Sequence, residues 1–225
     1  MRDAKELEFL KNIARRSGRA VPLTDPPQRG NVGVLGLVDA DPQTPLGELK
    51  DQFIASWTAL LGVAGTVAKQ DVPKLVEGIV KEHEAGRVVG WNVPELDEYG
   101  VPDAVAAAGA AYRAWSDQED IVEFAEQSTI GITTCDFAVA ETGTLALFCD
   151  PDKGRLVSLL PPVYLALIPA DRLVPRMTQV MRHVSEHGAP SSLNFVTGPS
   201  RTGDIESVLV VGVHGPGKVY AYIVE

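Results

Sequence analysis

Leu46 to Trp91 reads LGELKDQFIASWTALLGVAGTVAKQDVPKLVEGIVKEHEAGRVVGW. Leu46, Leu49, Phe53, Ile54, Trp57, Leu60 and Leu61 recur at helical spacing and predict an amphipathic helix. A short apolar run from Val63 to Ala68 follows. Next comes DVPKLVEGIVKEHEAG, with Asp71 as cap, Pro73 in the first turn and Gly86 as stop. RVVGW is the next strand. A helix–strand–helix–strand rhythm is that of an α/β fold with a mainly parallel sheet.

Working outward, the chain beyond Ser128 is richer in strand patterns: TIGIT, TLALF, VYLALI, LNFVT, SVLVV and KVYAYIV. One helix interrupts them, from about Pro175 to His187, stopped by Gly188. Toward the N-terminus, Leu7, Leu10 and Ala14 share a helical face within residues 3–17, and Gly18 ends it. Ala20 to Pro45 is dense in proline and glycine and reads as a long connection, an arm or interface segment. There is no internal repeat and no low-complexity linker. The expected organisation is one domain over residues 1–225, with residues 1–45 as a helical and Pro-rich N-terminal arm.

A chain of 225 residues with 45% apolar composition can bury one sizeable core. Its formal charge of −10, without a basic block, argues against nucleic-acid binding. A small anion is still admissible, because one Arg or a helix N-terminus can reverse the local potential. The charged, amphipathic start has no apolar h-region, and the longest apolar runs are too short to span a bilayer. The two cysteines, Cys135 and Cys149, form no CxxC pair, which fits free thiols in a reducing cytoplasm. Two thiols fall short of the four that iron–sulfur clusters usually need, so any such centre must sit on a partner.

Three patterns resemble well-known motifs. HVSEH, His183 to His187, matches the inverted zincin signature H-x-x-E-H, with both histidines on one helix face. A zincin also needs a third ligand on another element, and none is marked; histidines in a last helical turn also complement the helix dipole. No metal is therefore expected. GVHGPGK, Gly212 to Lys218, matches G-x-x-x-x-G-K, but Val219 stands where a P-loop needs Ser or Thr, and a strand follows where it needs a helix. A Gly-rich turn between two adjacent strands is the better expectation. GNVGVLG, Gly30 to Gly36, is not G-x-G-x-x-G and supports no dinucleotide site.

Denser chemistry lies in three other segments. GITTCDFAVAETGTLAL (Gly131 to Leu147) gathers Thr133, Thr134, Asp136, Glu141, Thr142 and Thr144 between strand-like runs. Small polar residues at carboxyl ends of strands are what a cleft in an open α/β sheet needs. Gly143 in the T-G-T turn allows close backbone approach. GPSRTGDIE (Gly198 to Glu206) sets Arg201 beside Asp204 and Glu206, and a guanidinium can clamp a carboxylate or phosphate bidentately. GVHGP places His214 in a glycine-rich turn. Each segment taken alone also fits a turn held by side-chain–backbone hydrogen bonds and an Arg–Asp pair.

Taken in order, GIT…D…AETGTL…LP, GPSRTGDIE and GVHGP resemble the lactate utilization protein C family, the LUD-domain proteins, over about residues 128–225. The resemblance implies a three-layer α/β/α fold of the ribose-phosphate isomerase (NagB/RpiA) and CoA-transferase-like type. It implies a part in converting L-lactate to pyruvate beside two iron–sulfur lactate utilization proteins, with no cofactor on this chain. Candidates for one shared cleft are Thr134, Asp136, Glu141, Thr142, Gly143, Thr144, Gly198, Ser200, Arg201, Asp204, Glu206 and His214. Arg201 would clamp the carboxylate and His214 accept a proton, in a subunit without its own electron acceptor. The alternative is a stand-alone acyl-CoA or carboxylate-handling enzyme with Glu141 as nucleophile, since E-T-G loosely resembles the Glu-x-Gly turn of CoA-transferases. Either catalytic role requires Glu141, Arg201 and His214 to converge on one concavity.

Overall fold

The computed structural model describes residues 4–22, 43–115, 120–205 and 208–225. Most of the Pro-rich connection, the GNVGVLG run within it, and Glu206 lie outside the described residues. The chain divides into two compact units, Met1–Ala40 and Asp41–Glu225. In the first, helix α1 (Ala4–Arg16) carries Glu6 in its first turn and Arg15 and Arg16 in its last, the charge order that complements a helix dipole. Gly18, at φ +71°, closes it.

The second unit begins with α2 (Leu46–Ala59), which buries Leu49, Phe53 and Trp57 along one face. Strand β1 (Val63–Val67) and helix α3 (Val72–Glu82) follow, with Pro73 in the first turn of α3 as expected. Then come β2 (Arg87–Gly90), the short helices α4 (Pro94–Glu98) and α5 (Val101–Ala107), β3 (Ala111–Ala114) and α6 (Ile121–Glu126). The remaining elements are β4 (Ile130–Thr133), β5 (Phe137–Val139), β6 (Thr144–Cys149), α7 (Leu156–Leu159), β7 (Val163–Pro169), β8 (Leu173–Val174), α8 (Met177–His187), β9 (Ser192–Val196), β10 (Arg201–Ile205), β11 (Val208–Val211) and β12 (Lys218–Val224).

Six strands form a central sheet in the order β1-β12-β7-β4-β2-β3, with every neighbouring pair parallel. Its inner strands are continuous apolar runs because helices and further strands cover them; VYLALI in β7 is buried throughout. This is the α/β architecture expected, a mainly parallel sheet flanked by helices. A second sheet, β8-β5-β6-β9, is mixed, and its inner residues Ala138, Leu145 and Leu147 join the same core as the central strands.

Arg201–Ile205 is a strand, paired antiparallel with β11 and irregular between Thr202 and Ile205. One local expectation is corrected. GVHGP does not close a hairpin: β11 belongs to the two-stranded ribbon and β12 to the central sheet, so the turn carries the chain from one sheet to another. Among the described residues no helix is long and apolar enough to cross a membrane.

Candidate functional site

Arg201 and His214 come together. Both are exposed and line one concavity of about 330 Å³ with Ser158, Thr197, Gly198 and Ser200. Backbone bonds join its two loops: Ser200 N–H donates to Pro216 O at 2.9 Å, and Gly212 N–H to Ser200 O at 2.9 Å. Gly198, at φ +84°, lies so close to the end of α2 that a β-carbon would sit 2.9 Å from Leu60 O. Ser158 precedes β7 and Gly215 precedes β12, so this concavity opens at the amino ends of the parallel strands. Asp204 lies in β10.

Glu141 sits elsewhere, so Glu141, Arg201 and His214 do not converge on one concavity, and the single shared cleft expected from the sequence is corrected to separate places. It is exposed and lines a separate concavity of about 170 Å³ with Thr44, Gln52, Pro175 and Arg176. Its N–H donates to Pro175 O at 3.1 Å, and its carbonyl accepts from Ser56 Oγ at 3.4 Å. Gly143 is pressed onto the backbone of α2 at Ser56 and Trp57. A hydroxyl chain links this turn to the first concavity: Thr142 Oγ1 to Thr144 Oγ1 at 2.7 Å, then Thr144 Oγ1 to Thr197 Oγ1 at 2.9 Å. These threonines tie β6 to the end of β9.

Thr134 and Asp136 occupy a third place, the carboxyl end of β4. Thr134 is buried and its carbonyl accepts from Thr133 Oγ1 at 2.6 Å, which also meets Tyr164 Oη at 2.6 Å. Asp136 Oδ2 accepts from Phe148 N–H at 2.7 Å, and Oδ1 from Lys153 Nζ at 2.9 Å. Burial alone would lower the Lys153 pKa, but the hydrogen bond and charge of Asp136, with Asp150 behind, outweigh it and hold the ammonium above its ordinary range. Burial also pushes the Cys135 thiol well up, reinforced by the charge of Asp136. Sequence reasoning passed over Lys153 and Asn92; the DPDKG turn signal at Asp150–Gly154 was the cue available.

HVSEH has a packing role. The His183 and His187 rings stack at 4.2 Å, and His183 lies edge-on to Phe137 at 5.1 Å, which seats α8 on the second sheet. His187 Nδ1 lies 3.0 Å from His183 O, so the second imidazole turns back on its own helix.

The LUD-domain family profile matches residues 51–224, which include Asp136, Glu141, Arg201 and His214. A Halalkalibacterium halodurans protein named lactate utilization protein C is 42% identical over 155 residues, 67% of this chain and 67% of its own length. A Shouchella clausii protein of the same name is 34% identical over 224 residues, covering 96% of each chain. The crystal structure of a DUF162 family protein from Deinococcus radiodurans superposes with a TM-score of 0.58 at 19% identity, over 81% of this chain and 99% of that one. That likeness carries the fold. With the profile spanning most of the chain and relatives aligned along nearly all of it, this protein belongs to the LUD-domain family, in its lactate utilization protein C group.

Proposed function

We propose that this protein serves lactate utilization as a subunit that binds a small carboxylate but holds no redox centre of its own. The observation that carries this reading is the pairing of Arg201 and His214 on one concavity. A guanidinium holds a carboxylate through two parallel hydrogen bonds, and an imidazole is suited to taking a hydroxyl proton near neutral pH. Oxidising L-lactate to pyruvate removes two electrons and two protons: the hydroxyl proton passes to the imidazole, and the C2–H bond breaks with its proton and both electrons passing to the partner proteins. Two cysteines are too few for a cluster, so the electrons leave to iron–sulfur proteins that bind alongside. The exposure of both side chains supports this division, because an open rim suits a site that a partner's surface completes. The three-residue convergence required from the sequence is not met, because Glu141 lines its own concavity; this reading therefore rests on Arg201 and His214 alone and drops Glu141 as a nucleophile.

The test is L-lactate-dependent reduction of a dye acceptor by extracts of a strain lacking the protein. Complementation with wild type restores it; Arg201→Ala restores roughly a tenth or less, the loss of one charge-assisted pair. His214→Gln lowers the rate while leaving the lactate concentration for half-maximal rate unchanged. Normal lactate oxidation in the deletion strain would refute the proposal.

A further inference from the structure

The carboxyl ends of β2 and β4 lie side by side where the strand order turns: β2 leads outward to β3, and β4 leads the opposite way to β7. Open parallel sheets take ligands in the crevice outside such a point. Here the loop Asp150–Gly154 reaches across the residues that follow both strands, fastened by side chains and one backbone bond rather than by strand pairing. Lys153 Nζ reaches Asp136 Oδ1 at 2.9 Å and Asp150 Oδ2 at 3.4 Å. Asn92 Nδ2 donates to Asp152 Oδ1 at 2.7 Å and Asn92 N–H to Asp152 O at 3.0 Å. Trp91 Nε1 donates to Gly154 O at 3.1 Å, and the Lys153 ammonium stands 5.6 Å from the Trp91 ring centre. On its other flank the loop walls a concavity of about 380 Å³ that also holds Arg155, Cys149 and Ser192. The loop thus touches both an existing concavity, through Asp150, Pro151 and Gly154, and the strand-end residues Trp91, Asn92 and Asp136.

We infer that Asp150–Gly154 is a lid over a second ligand crevice, distinct from the Arg201–His214 concavity, which takes a small molecule carrying a carboxylate beside a hydrogen-bond donor. The fastenings are pairs that such a molecule takes over. Its carboxylate replaces Asp136 on Lys153, its hydroxyl or ammonium replaces Lys153 on Asp136, and the Asn92 amide bonds either group. An apolar molecule would leave a half-buried carboxylate and ammonium unpaired, which is costly. An anion without a donor would face Asp136 directly. The ligand class is therefore a 2-hydroxy or 2-amino acid.

Two of the three tryptophans touch the lid, and the third, Trp57, is deep in the core. Trp91 is only 1% exposed, so acrylamide quenching of tryptophan emission reads its uncovering. In the full chain, Lys153→Met and Asn92→Ala each raise the quenching constant by roughly twofold or more, a local opening, with the circular dichroism of the wild type. Unchanged quenching in both variants would show that the loop is not a lid. L-lactate or L-alanine gives a saturable emission change in the wild type, and propionate, a carboxylate without the donor, gives none. No response to either acid, or an equal response to propionate, overturns the ligand class. Arg201→Ala leaves this titration intact; if it abolishes the signal, the ligand sits at the amino-end concavity and the second crevice falls, whatever the fate of the lactate role.

Discussion

Gly143 stands at φ +58°, and a β-carbon there would lie 2.6 Å from Trp57 N. Gly143→Ala is expected to cost about 1–3 kcal/mol, because both the backbone conformation and the contact with α2 are refused. Gly78, inside α3, has open space at the same point and an ordinary helical φ; Gly78→Ala should gain about 0.5–1 kcal/mol. Denaturant midpoints compare the two, and equal responses would contradict this account. The thiols give a second check. Burial pushes both Cys135 and Cys149 up, so little thiolate forms at neutral pH. Half-buried Cys149 should react slowly with a disulfide reagent, and Cys135 only after denaturant is added; rapid labelling of both would refute their placement. At this scale the sequence marks a residue that advertises itself locally, as His214 does in a glycine-rich turn and Arg201 does beside Gly198 and Gly203, and the structure sets these two on one concavity. Lys153 and Asn92 do not advertise themselves, since each acquires its meaning from a partner, Asp136 or Asp152, that only folding supplies.

Elements were legible in proportion to their length. The helices α2, α3 and α8 run for at least three turns and declare a face, whereas α4, α5 and α6 have 5, 7 and 6 residues, too few for a period to emerge. The second sheet was hidden for the same reason: β5 has 3 residues and β8 has 2. It is nonetheless a packed layer, with Val180 of α8 fully buried against Val139 and Ala146 in a small core of its own. Removing the Val180 methyls should cost about 1.5–3 kcal/mol by lost burial and an unfilled gap. Thermal unfolding of Val180→Ala measures it, and an unshifted midpoint would mean that α8 does not close this layer. Candidate site residues were split between elements in a way no spacing reveals. Asp136 ends at the carboxyl side of the central sheet and Arg201 at the amino side, because β6 and β9 run antiparallel between those two ends.

For the Asp41–Glu225 unit as a whole, burial sets the response to alkali. All five tyrosines have raised pKa values, with burial as the leading cause in each, and that of Tyr220 reaches about 12 with Glu82 adding to the effect. Folded phenols therefore keep their protons to higher pH than unfolded ones, whose ordinary value is about 10. The stability this confers is complete below about pH 10 and is lost as pH rises from there through the folded values. A phenolate absorbance titration should show ionisation delayed in the native protein and ordinary in denaturant; coincident curves would contradict it. The order of the central sheet also bears on biosynthesis. Strand β12 separates β1 from β7, and β1 is an edge strand that pairs with β12. A nascent chain leaving the ribosome therefore exposes β1 with a vacant ladder until residues 218–224 emerge, so the sheet closes only once nearly the whole unit has been translated. For that interval an unpaired β1 is open to foreign pairings, the hazard that chaperones and fast elongation limit.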